Sequence, residues 1–292
     1  MKKEPISVTV KYQQKPTERV LPMATLPKMT LDFNRQIKLS NSGGELSSDT
    51  GTLLFREFDE KIGFSHTLAN YLQLNDERKY YVHSNEDLLH QKLYQIIAGY
   101  AEDDAADQLT HDPVFTQLLE KDALASQPSL SRFYDRVDPQ SIEQLHRANQ
   151  ELLDKVHQYR ESEALIFDLD STHADTYGDQ ESTAFNTHYG TVGFHPLVAF
   201  DGVTGDFLKA KLRPGNVYTS KGVVDFVKPL IAHYNDKFPE TTPFLRGDSG
   251  FAVPELYELC EAESVYYVIR LKSNLNLQRW LMSFNLPLFR PI

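Results

Sequence analysis

The sequence predicts an α/β protein in which an all-helical region precedes a mixed sheet. Apolar residues recur at three- and four-residue steps from about Leu46 to Tyr159, the period of an amphipathic helix. After Glu163 the pattern changes to short apolar runs bounded by Gly, Pro and Asp, beginning with ALIFDLD at 164–170. From there the elements read strand, strand, strand, helix, strand, helix, strand. That order suits a hairpin on one side of a sheet and crossover helices joining parallel strands on the other.

Taken in order, residues 1 to about 30 carry Lys2, Lys3, Lys11, Lys15 and Arg19, and Pro5, Pro16, Pro22 and Pro27 interrupt any helix. They predict a flexible basic arm, residues 1–40, with one short strand at Ile6 to Tyr12. Residues 41–160 form the helical region. Leu53, Leu54, Phe58 and Ile62 make one stripe, then Leu68, Tyr71 and Leu72. Ser84 and Asp87 have capping-box spacing ahead of the stripe Leu89, Leu93, Ile96, Ile97 and Tyr100. Pro128 opens a short helix, and Ile142 to Val156 make a longer one. His83, His90 and His111 do not have the spacing of a metal site and are read as structural or exposed. The acidic run AEDDAAD (101–107) is read as a solvated face.

The sheet region spans 161–292. Leu197 to Phe200 and Phe207 to Leu212 flank the turn AspGlyValThrGly as a hairpin. Val217 to Phe238 predicts a helix burying Val223, Val224, Val227, Leu230, Ile231 and Tyr234. A strand at 242–248 ends at Asp248, a helix starts at Pro254, and SVYYVIRL (264–271) predicts a fully apolar strand.

The chain has 292 residues, 40% of them hydrophobic and 24% charged, the balance of a soluble globular protein. One cysteine, Cys260, excludes an intrachain disulfide framework and fits a reducing compartment. Lys2 and Lys3 precede no apolar signal segment, and no apolar run approaches the roughly 20 residues that span a bilayer, so the expected location is the cytoplasm. A net charge of −11 argues against a surface that cradles nucleic acid throughout, though not against local basic stripes.

Asp168 and Asp170 alternate with Leu169, so both carboxylates share one face of the strand, together with Ile166. Carboxylates at the end of an apolar strand are costly unless a cation or hydrogen-bond donors compensate, and a hard divalent ion is the usual compensator. A loop cap beside a solvated carboxylate has the same signature. Asp248 ends the first strand after the crossover helix, and sites form outside the carboxyl ends of adjacent parallel strands. Lys209, Lys211 and Arg213 alternate as a basic row, and Arg246 flanks Asp248; these are the candidate DNA phosphate contacts.

Several motifs in order, DLDSTHADTYGDQE, HYGTVGFHPLVAFDGVTGDFLKAKLRPGN, FLRGDSGF and YYVIRLKSN, resemble the group-1 DDE transposases of bacterial insertion sequences. LLHQKLYQIIAGYAEDDAADQLTHDPVF and QPSLSRF in the helical region extend the likeness to roughly residues 40–275. The resemblance implies a ribonuclease-H-like core, DNA-binding helices before it, Mg2+ or Mn2+, and strand cleavage and transfer at element ends by a homodimer on DNA. By position, Asp170 is then the first catalytic acid and metal ligand, Asp248 the second, and Asp168 a support. The family's third acid, a Glu on a helix beyond the last core strand, has no counterpart. Glu255, Glu258, Glu261 and Glu263 are read as an exposed helix face. The chain is therefore expected to be a truncated, catalytically impaired copy, with Trp280, Phe284 and Phe289 left from an unfinished core.

Two rivals use the same residues. DLDST also matches the DxDxT nucleophile motif of haloacid-dehalogenase-type phosphatases, with Asp168 as nucleophile and Asp170 as acid/base. A non-catalytic DNA-binding regulator is the other. Gly178, Gln180, His188, Tyr189 and His195 fall in the intervening motif without an assigned role.

Overall fold

The structure is a computed structural model that describes residues 7–9, 29–40, 49–160 and 162–283. The chain forms two compact units, Met1–Leu152 and Leu153–Ile292.

The first unit begins with three short strands, β1 (Ser7–Thr9), β2 (Met29–Thr30) and β3 (Lys38–Ser40), in the order β1-β3-β2. The expected arm is therefore not loose throughout residues 1–40. Leu31 and Ile37 are buried among helix residues, and the Glu57 carboxylate accepts the backbone N–H groups of Asp32 (2.7 Å) and Phe33 (3.3 Å). The rest of that expectation lies outside the described residues. Helices α1 (Thr52–Ile62), α2 (Phe64–Tyr71), α3 (Asn85–Ile97), α4 (Ala105–Leu109), α5 (Pro113–Leu118), α6 (Gln127–Tyr134) and α7 (Pro139–Tyr159) follow. Gly63 at φ 68° separates α1 from α2, a backbone conformation that glycine adopts at little cost. Ser84 and Asp87 form the reciprocal capping box at the start of α3. Buried Gln91 clamps Ala125 from both sides, donating to its carbonyl and accepting its N–H at 2.8 Å each.

The second unit takes in the end of α7, where Leu153 joins its core. It contains β4 (Ala164–Ser171), β5 (Ala174–Asp175), β6 (Ala184–Asn186), β7 (Thr191–Phe194), β8 (Leu197–Asp201), β9 (Phe207–Lys211), α8 (Val223–Lys237), β10 (Thr242–Gly247), α9 (Pro254–Ala262), β11 (Tyr266–Ile269) and α10 (Leu275–Ser283). The main sheet has the order β11-β10-β4-β8-β9. β10 runs parallel to β4 and β11 parallel to β10, whereas β8 and β9 are antiparallel to their neighbours. Strand β4 is central because it is apolar on the face of Leu165, Phe167 and Leu169, which meets α8 and α9. Burying Phe167 completely stabilises this core by about 2–3 kcal/mol. A smaller sheet, β5-β7-β6, follows β4 in sequence.

Two boundaries differ from expectation. The helix predicted from Val217 starts at Val223, because Tyr218, Thr219 and Lys221 turn their carbonyls onto a guanidinium, described below. The strand predicted as fully apolar at 264–271 is the shorter edge strand β11, whose Tyr266 and Val268 remain exposed. Trp280 is exposed, and Phe284 and Phe289 lie outside the described residues. Among the described residues no helix is long and apolar enough to cross a membrane.

Candidate active site

Strands β4 and β10 pair without a shift from Ala164 opposite Thr242 to Leu169 opposite Gly247. Asp170, near the end of β4, and Asp248, the residue after β10, each follow that last pair by one position. Parallel neighbours ending together place their carboxyl-terminal side chains at one rim. Leu169 points into the core, so Asp168 and Asp170 lie on the opposite face.

The backbone fixes each rim aspartate by one oxygen. Asp170 Oδ1 accepts the N–H of Ser171 at 2.7 Å, and Asp248 Oδ1 accepts that of Gly250 at 2.8 Å, capping a short 3-10 turn at Ser249–Phe251. The second oxygen of each carboxylate has no donor among the described residues. Sterics explain the glycines of the GDSG run. A Cβ on Gly247 would sit 3.0 Å from the buried Phe251 ring, and one on Gly250 would sit 2.7 Å from the Thr219 methyl. Thr219 also receives the Ser171 hydroxyl at 3.3 Å, so one threonine touches both aspartate-bearing turns. Nothing in the sequence marked Thr219, which lies in a loop with no motif of its own.

Asp168 is differently placed. Arg246, opposite it across the β4–β10 pair, donates Nε to Oδ1 at 2.9 Å and its terminal nitrogen to Oδ2. This fork neutralises Asp168 and occupies Arg246, and the carboxylate raises the Arg246 pKa above its ordinary value. The choice between Asp168 and Asp170 as metal ligand thus gains a physical basis, since among the described residues no cation lies within ion-pairing distance of Asp170. A free nucleophile at Asp168, as the phosphatase reading requires, is also disfavoured. Arg246 therefore pairs with Asp168 and is not the free phosphate contact beside Asp248 that the sequence predicts. Its sequence offset from Asp168 equals that of Asp248 from Asp170, a signal that could have revealed the pair.

The basic row does not form on the carboxylate face. Lys209 pairs across the sheet with buried Ala199, and its Nζ lies 5.5 Å from the Phe226 ring, against α8. Lys211 pairs with Leu197 on the same side. Arg213 is only 5% exposed. Its Nε donates to the His195 carbonyl at 3.0 Å, and one terminal nitrogen donates to the carbonyls of Thr219 and Lys221 at 2.9 Å each. Burial lowers its pKa from the ordinary value. Arg213 therefore shapes the loop that carries Thr219 instead of facing solvent.

The motif between β4 and β8 builds the wall of the small sheet. Asn186 is buried, donates to the Gly215 carbonyl at 2.7 Å and accepts the N–H groups of His188 and Tyr189. Tyr189 stacks on His173 at 4.8 Å and meets His188 and His195 edge-on. His195 Nδ1 lies 2.8 Å from the Val217 carbonyl. Gly178 and Gln180 belong to the turn before β6, where Gln180 accepts the Thr183 hydroxyl through its carbonyl. Asn186 and His195 are buried, whereas Gly178, Gln180, His188 and Tyr189 are exposed, and no local pattern in the sequence indicates their partners.

A hard divalent cation suits the donor set at the rim, two carboxylates with an oxygen each to spare. Among the described residues no group of three or more His, Cys, Asp or Glu side chains is arranged to hold a metal.

A central strand flanked by an antiparallel hairpin and two parallel strands, with acids at the rim, defines a ribonuclease-H-like α/β core. The transposase DDE domain of group 1 matches residues 29–287, and the chain belongs to that family. Among solved structures, the piggyBac transposase in a synaptic complex with hairpin DNA is similar at 15% identity and a TM-score of 0.41, over 80% of this chain and 52% of that one. This chain thus spans about half the length of the piggyBac chain. The Mos1 transposase paired-end complex with the left transposon end, and the Mos1 mariner paired-end complex with Mn, are similar at 13% identity and TM-scores of 0.26, over 80% of this chain and 79% of theirs. Among curated proteins none matches.

Proposed function

We propose that the chain is a DNA strand transferase of the DDE type, acting at the ends of its own insertion element through Asp170 and Asp248. The observation that supports this reading is the unshifted β4–β10 register, whose last pair, Leu169 opposite Gly247, lies one residue before Asp170 and Asp248. In the reaction an oxygen nucleophile attacks a phosphodiester phosphorus and the bridging oxygen leaves with its electron pair. Asp170 and Asp248 would hold Mg2+ or Mn2+, which supplies activation of the attacking oxygen and charge stabilisation at the leaving one. The chain's own part is positional. The N–H groups of Ser171 and Gly250 orient the carboxylates, and Arg246 cancels the charge of Asp168 so that the rim carries two unpaired acids. The helical unit, residues 41–160, would bind DNA, with two copies meeting on the element ends, as the family resemblance implies.

With only two carboxylates at the rim among the described residues, we also propose that cutting by this chain alone is impaired, since loss of one ligand weakens metal binding and cleavage. The test uses purified protein, Mn2+ titrated calorimetrically, and duplex DNA carrying the sequences that flank its gene. Asp170→Asn and Asp248→Asn should each abolish Mn2+ binding while Asp168→Asn retains it, and none should cleave. Equal Mn2+ affinity in all three variants would overturn the aspartate assignment. Robust cleavage by the unaltered chain would overturn the impairment alone.

A further inference from the structure

The helical unit holds a concavity of about 240 Å3 that the rim chemistry does not use. The irregular segment before α3 forms one wall, with Arg78, Tyr80 and Tyr81, and α6 with the residues after it forms the other, with Ser129, Arg132 and Arg136. Three guanidinium groups therefore gather in one hollow of a protein whose net charge is −11. Asn85 draws two of them together, its Oδ1 accepting from Arg78 at 3.0 Å and from Arg136 Nε at 3.1 Å. Like charges so close repel unless an anion compensates. Asp76 pairs with Arg78. Among the described residues neither Arg132 nor Arg136 has a carboxylate within ion-pairing distance, and one terminal nitrogen of Arg136 is buried without an acceptor. Burial, and then the charge of Arg78, lower the Arg136 pKa from its ordinary value.

The aromatic side of the hollow is equally unusual. Tyr80 is 94% exposed and Val82 beside it 86%, although both are large apolar side chains. Tyr81 lies under the Arg78 guanidinium at 5.0 Å, a contact that holds it at the edge of the hollow. Planar donors with an unfilled coordination sphere, a hydroxyl at Ser129 and an unburied ring make the contacts by which proteins grip a phosphodiester strand, the donors on phosphate and the ring on a base.

We propose that the hollow between Arg78, Arg132 and Arg136, edged by Tyr80, is the place where the helical unit holds the sugar-phosphate backbone of DNA. This rests on the reading that the chain acts on DNA, and adds the residues that do the holding. Arg132 and Arg136 contact phosphate, Arg78 keeps Tyr81 and Asn85 in place, and Tyr80 covers an unstacked base where the strand is single. The negative charge elsewhere repels the strand and so restricts where it lands.

The experiment measures fluorescence anisotropy of the full chain with a labelled duplex and with one of its strands, across a salt series. Arg132→Gln and Tyr80→Ala alter exposed side chains that make no structural hydrogen bond, so both variants should fold. Each arginine lost should reduce the slope of log affinity against log salt by about 0.9 on duplex. Tyr80→Ala should weaken single-strand binding roughly tenfold and leave the slope unchanged. If the unaltered chain binds DNA and Arg132→Gln leaves both affinity and slope unchanged, this inference fails while the DNA reading stands. If the unaltered chain binds neither probe, both fail. Displacement of the duplex by a glutamate-rich peptide at lower concentration than by unlabelled duplex would make this an acidic-protein site and overturn the proposal.

Discussion

Replacing Arg213 by methionine separates a structural arginine from a phosphate contact. The side chain gives three short hydrogen bonds, to the carbonyls of His195, Thr219 and Lys221. A hydrogen bond from a charged donor contributes about 1.5–3 kcal/mol, and a buried acceptor left without one costs a similar amount. Lys221 is exposed and Thr219 only half-buried, so water can reclaim those carbonyls, whereas His195 is buried. Removing the guanidinium also relieves its desolvation, whose sign is the lowered pKa. The net loss should be about 2–3 kcal/mol, equivalent to a melting point lower by roughly 6–12 °C in a unit of this size. Calorimetry of Arg213→Met, with amide exchange over residues 216–222, reads both the loss and its location. A melting point within about 2 °C of the unaltered chain, with a shallower salt dependence of DNA binding, would refute the structural role and restore the phosphate contact.

Three further outcomes are expected. His157 is packed against Tyr234 and Phe238, and burial lowers its pKa from 6.5. Its contribution to stability is full above that value and declines as pH falls below it, because the unfolded chain takes up the proton first. Urea midpoints at pH 8 and pH 5.5 should therefore differ less in His157→Gln than in the unaltered chain. Gly193→Ala should destabilise by about 2–4 kcal/mol in urea titration, because the new methyl would lie 2.2 Å from the Ala174 carbonyl oxygen, backbone that cannot yield cheaply. A double-mutant cycle on Asp168 and Arg246, read by thermal denaturation, should give only a small coupling, since both side chains are partly solvated.

Alternation along β4 made its buried face and its paired aspartates readable, because every second residue is strongly apolar. The same rule showed that Lys209 and Lys211 share a face. It could not show which face, since that depends on pairing with β8 and on a register shift at Ala199 and Phe200. The burial of Arg213 has no sequence signal, because arginine is seldom buried and its partners are backbone carbonyls that leave no trace in side-chain pattern. The helix start at Val223 has no signal for the same reason, since that guanidinium captures the carbonyls of Tyr218, Thr219 and Lys221. The Ser84 capping box was legible because its two residues lie within one turn. Contacts as distant as Asn85 with Arg136, 51 positions apart, have no local signal.

The β4–β10 pairing joins segments separated by the hairpin, the small sheet and a helix. During synthesis the first aspartate leaves the ribosome long before the second, and the hairpin can fold around it while its neighbour does not yet exist. A nascent chain thus displays Asp170 without Asp248 and Asp168 without Arg246, both of which arrive with the later strand. Only when the later strand inserts beside the earlier one can the protein bring a second acid to the same edge.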